Sequence, residues 1–229
     1  MRGAVIVGAA AVVMVGAAAS AQVVVFDSAW DNGFFTPFNA STAPAVRYGD
    51  SGWIGNGASA PEVVTRITLN LAAFGSASPG FTDLTFTFND GDPSGLAFGP
   101  GTTLYSTTIQ DVALPATGVG NVAPVDVVID LPNIALSGGF NNFGWSIGVQ
   151  NFSYAGQLGF TASTASGQFL GFYTANASSF NGSSWSLFSF GADPNTGVAN
   201  LRVQLEVPAP SGVAAMGLLA LPALRRRRS

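Results

Sequence analysis

The chain has 229 residues, with eight arginines, twelve Asp and Glu, and no Lys, His or Cys. Without imidazole or thiol there is no Ser-His-Asp or Cys-His nucleophile and no zinc site of the usual ligands. Apolar residues make up 48% and charged ones 9%, which suits a packed core and excludes a disordered or ion-pair-rich chain.

The chain opens with an export address. Arg2 precedes an apolar run from Ala4 to Ala18, and Ala19-Ser20-Ala21 is a small-residue cleavage site before Gln22. Residues 1–21 therefore read as a secretory signal peptide, cut between Ala21 and Gln22, with an export translocon and signal peptidase as partners. The residues that follow are acidic. Arg47, Arg66 and Arg202 alone face all twelve acids, giving that stretch a net charge of −9. Such a surface repels phosphate backbones, so nucleic acid is not an expected partner.

Residues 22–206 read as one all-β ectodomain. Val23–Phe26 is a first short strand candidate, and Val63–Leu71 a second, with Val63, Ile67, Leu69 and Leu71 on one face. Strict alternation then marks Leu84, Phe86 and Phe88; Val125, Val127, Ile129 and Leu131; Phe143, Trp145, Ile147 and Val149; and Leu201, Val203, Leu205 and Val207. Period two sends one face to a core and the other to water, as antiparallel sheets require. Leu104–Ile109, Leu158–Ala162, Phe169–Tyr173 and Trp185–Phe190 are weaker candidates. Asn32-Gly33, Asn56-Gly57, Asp90-Gly91, Ser137-Gly138 and Asn181-Gly182 supply turns. The expected fold is a single two-sheet antiparallel β-sandwich, jelly-roll-like, flanked by an N-terminal signal helix and a short C-terminal apolar helix.

Two candidate binding features lie in this body. The turn around Asn89, Asp90 and Asp92 offers two carboxylates and an amide, oxygens of the kind Ca²⁺ takes, although turn chemistry alone favours the same residues. Trp30, Trp53 and Trp185 lie near Asn, Asp and Ser, a pairing that stacks on sugar rings and bonds their hydroxyls, while filling the core is the competing role for aromatics. Only Glu62 and Glu206 are glutamates, and no local pattern marks an acid/base pair, so a non-catalytic protein is expected over a carboxylate-dependent glycoside hydrolase.

Residues 207–229 form a three-part tail. Val207-Pro208-Ala209-Pro210-Ser211 is stiff and non-helical, because both prolines fix φ and remove donors. Gly212–Leu224 is apolar, and as a helix it spans about 20 Å, short of the roughly 30 Å hydrocarbon core. Arg225, Arg226, Arg227 and Arg228 follow, and they hold that end on the cytoplasmic side. The order of Pro-x-Pro, short apolar helix and Arg cluster resembles the PEP-CTERM sorting signal of exported bacterial proteins. Pro208 and Pro210 match the motif's prolines and Ser211 its small residue, whereas Ala209 stands where the family has Glu. The resemblance implies recognition by an exosortase-type membrane transpeptidase, a transient membrane tether through the C-terminal helix, and delivery to the cell surface or extracellular matrix. It also implies an interaction with exopolysaccharide. A structural coat or adhesion protein acting by self-association is the alternative.

Overall fold

The computed structural model describes residues 22–28, 31–38, 46–54, 62–96, 100–136, 141–163, 170–173, 177–187 and 199–209. The two expected helices lie outside these residues, as do the turns at Asn56 and Ser137. Among the described residues no helix is long and apolar enough to cross a membrane.

Among the described residues fourteen strands run in order: β1 (Gln22–Asp27), β2 (Asp31–Pro37), β3 (Val46–Trp53), β4 (Val63–Phe74), β5 (Gly80–Asn89), β6 (Thr103–Leu114), β7 (Val122–Ala135), β8 (Asn142–Ser153), β9 (Gln157–Ser163), β10 (Phe172–Tyr173), β11 (Ser178–Asn181), β12 (Trp185–Leu187), β13 (Asn200–Leu201) and β14 (Val203–Pro208). They form two antiparallel seven-stranded sheets, so the body is an all-β sandwich. In the first sheet β4 is central, paired along its whole length with β7 and on its other side with β14 and then β9; β1 joins β14. The second sheet runs β12-β11-β3-β8-β5-β6, with β10 also on β3.

The alternating residues named above meet between the sheets. Ile67, Leu69, Leu71, Phe160, Leu201, Val203 and Leu205 of the first sheet are buried, as are Leu84, Phe86, Phe88, Phe143, Trp145 and Ile147 of the second. Aromatic rings bridge the layers: Phe26 meets Phe143 edge-on at 4.8 Å, and Trp145 meets Phe160 at 5.2 Å. Each such side chain contributes about 1.5–3 kcal/mol by leaving water.

Three expectations need correction. A register shift between Val64 and Arg66 puts Val64, not Val63, into the core. Asn32-Gly33 does not turn the chain; it lies within β2, where the pairing with β9 breaks register between Asp31 and Phe35. The last stretch keeps its alternation from Leu201 to Val207 but is two strands, β13 and β14, split at Arg202. Val207 and Pro208, the first residues of the expected tail, complete β14 opposite Val23 and Gln22.

Candidate functional site

Alternation along β3 sends Tyr48 and Asp50 inward and Arg47, Gly49, Ser51 and Trp53 to the outer face of the second sheet. Trp53 stands directly opposite Phe172 on β10, with ring centroids 5.9 Å apart and planes tilted by 36°. Phe172 is 49% exposed. Arg47 lies about 20 Å back along the same strand, opposite Phe180 of β11, whose ring tilts against Trp185 at 5.2 Å. Trp53 and Trp185 therefore share one outer face, each half-buried against a second ring. The hairpin carrying Trp185 is fixed by Asn181, whose Oδ1 accepts from the Ser183 and Ser184 amides and the Ser183 hydroxyl, all at 2.9 Å. Hydroxyls of Ser183 and Ser186 are exposed beside it. Trp30 lies outside the described residues.

The acidic turn sits on this same face. Asn89 Nδ2 donates to Gly101 O and Thr103 Oγ1, and Asp90 Oδ1 accepts from the Thr102 amide. The Asp92 carboxylate accepts from the Ser94 amide at 2.8 Å and from its hydroxyl at 2.7 Å, while the Asp92 carbonyl takes the Gly101 amide at 2.9 Å. The turn does not stand out into water. A Cβ at Gly49 would lie 2.9 Å from Pro93 Cγ, and one at Gly144 would strike the Gly91 carbonyl, so the turn lies flat across β3 and β8. Those two positions must be glycine for the loop to lie so close. Asn89, Asp90 and Asp92 thus bond within their own loop. Among the described residues no three His, Cys, Asp or Glu side chains gather in a group suited to a metal ion.

A polar cluster is buried between the sheets. Asp50, 3% exposed, accepts the Ser51 amide at 2.8 Å on Oδ1 and the Leu201 amide at 2.9 Å on Oδ2. The Tyr173 hydroxyl donates to the Leu201 carbonyl, and Ser28 Oγ accepts the Val203 amide at 2.9 Å. These contacts occupy the backbone where Arg202 interrupts the last strand, and they tie β3 to the opposite sheet. Burial raises the Asp50 carboxyl well above the usual range, helped by the charge of Asp92 and opposed by the two amides. Burial likewise raises Tyr173, and Asp50 adds to it. Asp83 is the opposite case: the Asp111 amide on Oδ1 and the Asn151 amide group on Oδ2 lower its pKa. A carboxyl with a raised pKa is what an acid/base pair requires, but Asp50 is 3% exposed and its oxygens are held by two backbone amides.

No family model matches the chain, and no curated protein matches it. Two solved structures do. One is the infectious bursal disease virus VP2 subviral particle, at 13% identity and a TM-score of 0.26, covering 92% of this chain and 50% of that one. The other is the structure of the infectious bursal disease virus Gx strain, at 16% identity and a TM-score of 0.23, covering 85% and 43%. The chain spans half or less of the length of each. Superposition this loose carries no argument about function.

Sequence reasoning singled out Trp53 and Trp185 but missed their partners, Phe172 and Phe180. The signal was register: once β3 is recognised as a strand, Phe180 falls opposite Arg47. Asp50 was hidden for the same reason, inside Gly49-Asp50-Ser51-Gly52, which has the composition of a turn.

Proposed function

We propose that this chain is an exported bacterial surface or extracellular-matrix protein, without a catalytic role, whose jelly-roll-like body holds exopolysaccharide. The observation that carries the reading is the pair of aromatic sites, Trp53 with Phe172 and Phe180 with Trp185, on one outer face. Sugar rings stack on such surfaces, and the Ser and Asn groups of the Asn181 hairpin bond hydroxyls. The net negative body draws divalent cations, and Ca²⁺ held between it and an acidic polysaccharide would strengthen the contact. Delivery follows from the ends: signal peptidase cuts after Ala21, and an exosortase-type transpeptidase acts at Val207–Ser211 while the apolar helix and Arg225–Arg228 hold the chain in the membrane.

Retention of the purified chain on immobilised polysaccharides, with and without calcium, tests the binding. Trp53→Ala and Trp185→Ala should each weaken it by about 0.5–1.5 kcal/mol, roughly two- to tenfold in Kd. Retention by no polysaccharide refutes the ligand. Mass spectrometry of native material tests the sorting: a C-terminus still ending in Arg225–Arg228 and Ser229 refutes cleavage.

A further inference from the structure

The edges of the two sheets are guarded unequally. β7 is a long edge, but Pro124 and Pro132 remove donors from it, and Asp126 and Asp130 line its outer side. β12, at one end of the second sheet, has three residues. β6, at the other end, has twelve, and Thr103–Gln110 contains no charge and no proline. Among the described residues β6 pairs only with β5, and no other described strand takes the amides and carbonyls of its far side. The free stretch has a definite end. The pairing of β5 with β6 shifts register between Thr82 and Leu84, where Asp111 takes a φ of 54° and its amide is held by Asp83. Its other end is at Leu104, which the register shift between Phe88 and Asn89 leaves out of the ladder, so Tyr105–Ile109 is the regular part.

We propose that Tyr105–Ile109 of β6 is a self-association edge that pairs antiparallel with the same segment of a second copy of this chain. Charge selects the place: two bodies of net charge −9 repel, and this long edge brings no carboxylate against another. The segment is also self-complementary. With Thr107 on the two-fold axis, Tyr105 faces Ile109 and Ser106 faces Thr108, pairs of β-branched, aromatic and hydroxyl side chains that stabilise sheets. Tyr105 and Ile109 already pack against the core from the rim, and a second strand would complete their cover. Five residues bury less than the roughly 1,200 Å² of a stable interface, so the pair forms at high local concentration, as on a crowded surface. This inference does not rest on polysaccharide binding.

The chain has no native thiol, so single cysteines report the geometry cleanly. On mild oxidation, full-length chain carrying Thr107→Cys should form a covalent dimer, because opposed residues of paired strands lie within disulfide reach. Asp130→Cys, on the guarded edge, should remain a thiol, which separates edge pairing from association through the apolar ends. Ser106→Lys puts two ammonium groups on the same outer face of the strand pair and should lower the association constant measured by sedimentation more than about tenfold. A monomer at every concentration, a Thr107→Cys chain that stays reduced, or an unchanged association constant in Ser106→Lys would overturn the proposal. Polysaccharide retention is read separately and survives any of these results.

Discussion

Asp50 offers the sharpest test of how the two sheets are held in register. Asp50→Ala would remove the acceptor of two buried amides, those of Ser51 and Leu201. An unsatisfied buried donor costs about 1–3 kcal/mol, so the substitution should cost roughly 2–5 kcal/mol, a large share of the 5–15 kcal/mol typical of a domain. Asp50→Asn keeps the shape and one acceptor oxygen but cannot titrate, which isolates the ionisation. Burial raises the folded-state pKa of Asp50 above its unfolded value of about 3.9. Its contribution is then fully present below the unfolded pKa and is lost as pH rises through the folded one. Urea unfolding of wild type and Asp50→Asn, followed by tryptophan fluorescence across pH, gives the difference directly. Wild type should gain on the variant toward acid and lose ground toward neutrality. A difference that is flat, or that grows with pH, would refute the burial of an ionisable group at this position.

Asp83 has the opposite sign: its lowered pKa gives stability that is present above its unfolded pKa and lost as pH falls through the folded one, so Asp83→Asn should flatten acid unfolding, read from the same titration. Trp145→Ala should cost about 3–5 kcal/mol in urea unfolding by opening a cavity against Phe160. Trp145→Phe should cost clearly less, because the indole N–H has no partner among the described residues and its removal loses no hydrogen bond. Gly144→Ala would drive a methyl into the Gly91 carbonyl and should destabilise by about 1–3 kcal/mol, with faster proteolysis in the Asp90–Gly101 loop as the local readout. Calcium should leave the melting temperature unchanged, because the Asp90 and Asp92 carboxylates already accept bonds from Thr102 and Ser94; a rise that EDTA reverses would make that loop a cation site after all.

Strands with one dry and one wet face were legible from the order of residues. β5, β7 and β14 alternate because their inner side chains enter the core while the others do not, whereas β8 is buried on both faces and alternates large core residues with Gly144, Ser146 and Gly148. β3 was illegible for the complementary reason. Its outer face is covered by Pro93 and its inner face by core, so Gly49–Gly52 are buried on both sides and carry no alternation. Glycine, aspartate and serine there look like a turn because strand propensity is low, yet tertiary packing decides. The acidic turn shows the same limit. Its composition announced a turn correctly, but where that turn lies depends on Gly49 and Gly144, distant in sequence. Trp53 and Trp185 were visible as residues, whereas their common face follows only from the pairing of β10 and β11 with β3.

The pairing of Gln22 with Pro208 brings the first and last residues of the sandwich side by side. Traction applied between those two points would peel β1 from β14 one rung at a time, the weakest way to load a ladder. A chain fastened through its C-terminal side alone is spared that. Drag on a polymer gripped at Trp53 or Trp185 would instead cross the whole thickness of the sandwich before reaching β14, so the interlocked rings of Phe26, Phe143, Trp145 and Phe160 would bear the strain together.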